Sequence, residues 1–182
     1  MKQKFSDQEI IEKAFKIKCL ISDVDGVLTD GCVYMDENGN ESKKFDLQDG
    51  MGLKLVMHAN IAVAVITTSR NKVIDHRMEQ LGIQHYFKGQ INKESAFLSL
   101  KQKLSLKNEE VAYIGDDLPD LAIIQQVGVL GIAVANAVKT VKEFASFITT
   151  NRGGFGAVRE VCDLLLTAKQ CHDEALKRYL AS

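Results

Sequence analysis

A chain of 182 residues with 46% hydrophobic and 26% charged residues has the length for one domain with a sizeable core and is too polar for an integral membrane protein. A formal net charge of −1 offers no electrostatic grip on nucleic acid or an anionic membrane, so neither is expected as a partner. The four cysteines, Cys19, Cys32, Cys162 and Cys171, lack metal-type spacing and read as free thiols in a reducing, cytoplasmic compartment.

In chain order, Ser6-Asp7 caps a short amphipathic helix through Phe15, and a strand follows over 17–22. The segment 1–18 mixes acids and bases without the apolar stretch of a secretion signal. Cys32–Met35, a turn at Asn38-Gly39 and Ser42–Phe45 predict a β-hairpin. The spacing of Leu53, Val56 and Met57 predicts a helix leading into a strand at 61–67, whose apolar run is far too short to cross a bilayer. A helix over 72–81, a short strand at Tyr86-Phe87, a helix over 93–104 and a strand over 111–115 come next. Helix 118–126, strand 129–134, helix 137–145 and strand 146–149 complete the alternation. A last long helix begins after Gly153-Gly154 and carries Val158, Val161 and Leu165 on one face. Alternating strands and helices predict an α/β fold with a doubly wound parallel sheet.

The chemistry gathers at strand ends, where open α/β sheets bind ligands. Asp23-Val24-Asp25-Gly26 follows the first strand, and two acids so close repel unless a cation or proton lies between them. Gly115-Asp116-Asp117-Leu118-Pro119-Asp120 puts three more acids after another strand. A hard cation takes oxygen ligands from several segments. Asp23, the carbonyl of Asp25 and Asp116 are therefore expected to converge on one Mg²⁺, against the alternative that Asp117 merely caps the following helix. Thr67 can donate its hydroxyl to a phosphate oxygen, and Lys93 can supply a point charge.

The ordered set DxDGxxTD (Asp23 to Asp30), Thr67, Lys93 and GDDxxD (Gly115 to Asp120) resembles the haloacid dehalogenase superfamily of aspartate-nucleophile phosphatases. The likeness runs from about Ile17 to Ala168. Through Asn38-Gly39, Lys44-Phe45, Asp49-Gly50-Met51-Gly52, Leu81-Gly82-Ile83 and Gly153 to Glu160 it is closest to the 3-deoxy-D-manno-octulosonate 8-phosphate (KDO 8-phosphate) phosphatases of lipopolysaccharide synthesis. The resemblance implies a Rossmann-like haloacid dehalogenase core over 17–168 with a β-hairpin flap and no cap domain, a helical extension at 1–16 and a tail at 169–182. That tail is either a helix continuation or a mobile segment reaching a neighbour's entrance.

The resemblance also implies roles. Asp23 is the nucleophile that becomes an aspartyl phosphate, and Asp25 protonates the leaving oxygen and then activates water. Thr67 and Lys93 hold the phosphoryl oxygens, Asp116 completes the Mg²⁺ site, and Asp117 and Asp120 orient the metal's waters and Lys93. Asp46, Leu47, Gln48, Asp49, Gly50, Lys54, Ser69 and Arg77 match substrate-contacting positions. The implied partners are a phosphorylated sugar acid and further copies of the chain, in a homotetramer whose hairpin packs on a neighbour through Val33, Tyr34 and Phe45.

The chain departs from its relatives at the mouth. It has Thr67-Thr68-Ser69 where they show Thr-Gly-Arg, Gln48 where many have Arg, and Phe155 where they have a basic residue. Lys43, Lys44, Lys54, Arg70, Arg77 and Arg152 are the cations left to meet a substrate carboxylate. Two other readings stay open. One is the same chemistry on a sialic-acid-type nonulosonate 9-phosphate. The other is a regulatory domain phosphorylated once as a switch.

Overall fold

The computed structural model describes residues 6–181; the first five residues of the expected extension lie outside them. Helix α1 (Asp7–Lys16) starts at Ser6, whose hydroxyl accepts from the Glu9 amide while Glu9 reaches back to the Ser6 amide, a capping box. Ile10 and Ala14 seat this helix in the core. There follow β1 (Cys19–Ser22), the hairpin strands β2 (Tyr34–Met35) and β3 (Glu41–Ser42), α2 (Leu47–His58), β4 (Ala62–Ile66), α3 (Lys72–Leu81), β5 (His85–Phe87) and α4 (Lys93–Leu104). The chain continues through β6 (Val111–Gly115), α5 (Leu121–Ile124), β7 (Leu130–Ala133), α6 (Lys139–Phe144), β8 (Phe147–Ile148), α7 (Ala157–Ala168) and α8 (His172–Leu180).

Six strands form one parallel sheet in the order β5-β4-β1-β6-β7-β8. All four residues of β1 are buried, as expected where helices cover both faces of a parallel sheet. Ser22 pairs with Val65 of β4 on one side and Ile114 of β6 on the other. The ends of the three strands are thus level, and Asp23, Thr67 and Asp116 leave the sheet side by side. Among the described residues no helix is long and apolar enough to cross a membrane. The cysteines are all free, with Cys19 and Cys162 buried.

The structure differs from the sequence reading in four places. Helix α2 starts at Leu47, earlier than Leu53, because Asp46 accepts from the Gln48 and Asp49 amides and a cap outweighs the poor helix propensity of Gly50 and Gly52. The expected helix 118–126 is a 3₁₀ turn at Leu118–Asp120 followed by the short α5. Asp117 caps that turn and the Asp120 carboxylate folds back onto the Asp116 and Asp117 amides. The tail does not continue α7. Gln170 turns left-handed (φ 53°), and α8 lies back on α2, with the Tyr179 ring edge-on to His58 at 5.7 Å and Arg178 donating to the His58 carbonyl. In the hairpin, Val33 (69%) and Met35 (65%) are strongly exposed, whereas Phe45, expected outside, packs partly against the core and bridges to Thr29.

Candidate active site

The turn after β1 is held in shape by its own side chains. The Thr29 hydroxyl accepts from the Gly26 amide and donates to the Val24 carbonyl, and Gly26 takes φ +84°. A Cβ on Gly26 would lie 2.0 Å from Asp116 Oδ2, so a residue without a side chain is what lets the second acidic loop come against the first. The glycine loop before α7 braces the other side. The Gly154 amide donates to the Val27 carbonyl, and Asn136 both donates to the Gly26 carbonyl and accepts from the Gly153 amide. A Cβ on Gly153 would sit 1.8 Å from that same carbonyl oxygen.

Within this frame carboxylate oxygens of Asp23, Asp116 and Asp120 lie within 4.8 Å of one another. Lys93, only 1% exposed, places Nζ 2.7 Å from Asp120 Oδ1 and 2.9 Å from Asp23 Oδ1. The Asp23 contact is an ion pair without hydrogen-bond alignment. Asp120 is saturated: Oδ1 accepts from Lys93 and the Tyr113 hydroxyl, and Oδ2 from the Asp116 and Asp117 amides. Its carboxylate therefore orients Lys93, leaving Asp23 and Asp116 to face a ligand.

Three carboxylates against one ammonium leave a surplus of negative charge. Burial first, and the neighbouring Asp120 second, push the Asp23 carboxyl up to about 7 despite Lys93. Burial, then Asp23, Asp120 and Asp117, push Asp116 up to about 8. Asp116 Oδ1 is buried with no hydrogen-bond partner. An all-oxygen cluster with an unpartnered buried oxygen and excess negative charge fits a hard divalent cation. The Asp25 carboxylate does not join this cluster, and Lys43 holds one of its oxygens at 2.7 Å.

A stability prediction follows. A carboxyl whose folded pKa is raised favours folding fully below its unfolded pKa, and that contribution is lost as pH rises through the folded value. Metal-free protein should therefore melt lower at pH 8.5 than at pH 6. Magnesium at a hundred times its dissociation constant should add about 2.7 kcal/mol and narrow the gap. Calorimetric melting at both pH values, with and without Mg²⁺, checks this; a metal-free melting point that rises with pH would contradict it.

The remaining residues divide. Thr67, fully buried, accepts from the Ser69 amide through its hydroxyl oxygen and keeps its own proton free to donate. Leu47 and Gln48 are exposed at the start of α2, and Asp46 caps it. Arg77 donates to the Asp46 carbonyl and lies 5.7 Å over the Phe45 ring. Gly50 is buried beneath Arg77, where a Cβ would be 2.5 Å from Nη2. Asp49 turns inward instead of lining the mouth. It is 1% exposed, accepts from the Arg159 amide at 2.7 Å, and is pushed up to about 6 by burial, so it clasps the N-terminus of α7. Lys54 borders a groove with Met57, His58, Leu81 and Tyr179, well along α2 from the carboxylates. Asp117 is exposed and accepts from the Leu118 amide, the geometry of a cap. Lys44 stands 3.2 Å over the Phe155 ring and donates to the Gly154 carbonyl. Sequence reasoning missed Tyr113 and Asn136; a lone hydroxyl in the apolar run Val111–Ile114 was the available signal for the first.

Residues 79–160 match the haloacid dehalogenase-like hydrolase family. The chain is 47% identical over 167 residues to the 3-deoxy-D-manno-octulosonate 8-phosphate phosphatase of Escherichia coli (strain K12), covering 92% of this chain and 88% of that protein. A solved Legionella pneumophila structure, described as a subfamily III A hydrolase of the same superfamily, superposes with a TM-score of 0.94 at 60% identity over 96% of each chain. The 3-deoxy-D-manno-octulosonate 8-phosphate phosphatase of Moraxella catarrhalis, solved with a magnesium ion, a phosphate ion and a KDO molecule, gives 0.90 at 40% identity, covering 96% of this chain and 99% of that one. The chain belongs to the 3-deoxy-D-manno-octulosonate 8-phosphate phosphatases of the haloacid dehalogenase superfamily.

Proposed function

We propose that this protein is a Mg²⁺-dependent phosphatase that hydrolyses KDO 8-phosphate to KDO and phosphate, through an aspartyl phosphate on Asp23. The observation that carries the reading is the buried Asp23 carboxylate beside Lys93 and Asp116 at the end of the central strand. The substrate is the one named for its relatives. An Asp23 oxygen attacks phosphorus while the bond to the sugar oxygen breaks and Asp25 delivers a proton to that oxygen. Asp25 next takes a proton from water as the water oxygen attacks phosphorus, and the Asp23–phosphorus bond breaks to free phosphate. Lys93 and Thr67 hold the phosphoryl oxygens in line, and Asp120 keeps Lys93 aimed. An ion held by Asp23, Asp116 and the Asp25 carbonyl would supply the positive charge that lets an anionic carboxylate approach an anionic phosphate. Asp46, Leu47, Gln48, Ser69 and Arg77 border the sugar.

Ranking sugar phosphates by kcat/KM tests the substrate. KDO 8-phosphate should exceed a nonulosonate 9-phosphate by at least about 10-fold, the scale of a modest pocket difference. The reverse order would transfer the reading to the nine-carbon acid, and a single stoichiometric phosphorylation without turnover would replace the enzyme by a switch.

We further infer a cytoplasmic homotetramer in which the hairpin of β2 and β3 packs on a neighbouring copy. Val33, Tyr34 and Met35 exposed together support it, since a solvated flap gains nothing from apolar tips. Light scattering should give the mass of four chains, and Val33→Glu with Met35→Glu should give smaller species. An active wild-type monomer would overturn this.

A further inference from the structure

The side chain of Lys43 is only 6% exposed, which is rare for a lysine and calls for partners. Its ammonium lies 2.7 Å from Asp25 Oδ1 and 2.8 Å from Glu41 Oε1. Burial alone would lower its proton affinity, but the two carboxylates outweigh it and hold the lysine charged. Asn71, which caps α3 by accepting from the Val73 amide, lies beside Glu41 and, after Lys43, helps hold it ionised. A chain of contacts thus runs from the loop after β4, through the hairpin base, to one oxygen of Asp25. The other Asp25 oxygen has no protein partner among the described residues, and the side chain is 40% exposed.

We propose that Lys43 is the positioning residue for Asp25, holding one carboxyl oxygen so that the other is the one presented to the leaving group. One carboxyl oxygen is taken up by the ammonium at 2.7 Å, so the second is the one left open to substrate and water. That oxygen gives a proton to the bridging ester oxygen as the phosphorus–oxygen bond breaks and recovers one from the attacking water. Glu41 neutralises the ammonium, so the contact fixes the carboxyl without burdening it with a full positive charge. The inference rests on the acid–base reading of Asp25.

The test compares leaving groups. A sugar alcohol must be protonated to depart, whereas 4-nitrophenolate departs without a proton. Single-turnover release of each alcohol is measured at one pH with Mg²⁺ saturating for wild type, Lys43→Met, Glu41→Gln and Asp25→Asn. Lys43→Met should slow the sugar phosphate about 100-fold, the scale of general acid catalysis, and 4-nitrophenyl phosphate by less than about 5-fold on the same scale. Glu41→Gln should show the same asymmetry at about 10-fold, and it serves if Lys43→Met does not fold. Equal slowing of both substrates by Lys43→Met and by Glu41→Gln, while Asp25→Asn retains the asymmetry, would overturn the role of Lys43 alone. Equal slowing by Asp25→Asn would remove the acid reading and this inference with it.

Discussion

Asp23→Asn is expected to lower kcat by at least about 10⁴-fold, the scale seen when a covalent nucleophile is deleted, with the fold intact. The amide has the volume of the carboxylate but cannot form the acyl phosphate. The replacement removes one of three clustered acids, Asp23, Asp116 and Asp120, so it relieves repulsion. Because burial and Asp120 push Asp23 up to about 7, metal-free Asp23→Asn should lose less stability between pH 6 and 8.5 than wild type. Turnover, urea unfolding at both pH values and mass spectrometry of acid-quenched enzyme read the three consequences. Activity within about 10-fold of wild type, or a phosphoryl group still attached at this position, would reject the assignment.

Lys93→Met should damage both stability and rate, and stability more than any other change proposed here. The lysine is 1% exposed and contacts Asp23 and Asp120, and removing one partner of a buried ion pair leaves the other charge uncompensated, costing about 3–5 kcal/mol. The carboxylates will respond by taking up protons, so the loss should be largest at high pH, where that escape is least available. The rate should fall about 10²–10³-fold, the usual effect of deleting one preorganised charge at a developing anion. Lys93→Arg should not rescue it, since a planar guanidinium cannot replace a compact ammonium in a closed site. Denaturant unfolding and steady-state kinetics check both effects. Near-wild-type behaviour of Lys93→Met would mean that the buried cation is structural ballast.

Much of this was legible in the chain because the relevant signals are local. Val111–Gly115, Lys72–Leu81 and Lys93–Leu104 have the bounds their periodicity and punctuation predict. Each catalytic candidate directly follows a strand or opens a helix, so its place at the sheet's edge followed from the alternation alone. What was hidden depends on contacts between distant segments. Asp49 reads as a substrate-contacting position; only the approach of α2 to α7 turns it into a clasp on the Arg159 amide. Lys43 reads as one of several mouth cations, and only the fold of the hairpin base puts it on Asp25. The Gly153-Gly154 pair announces a turn, not that it rests on Gly26. Asp117 could be a cap or a site residue by its position, and the hydrogen bond to Leu118 decides its geometry.

The strand order has a kinetic corollary. β1 leaves the ribosome early, yet Leu20 must wait for Val63 on one flank and Ala112 on the other. Such long closures make parallel pairing slow, and both carboxylate loops face each other only after the second closure. Regained turnover during refolding will thus time the last event of assembly, well after helix content returns.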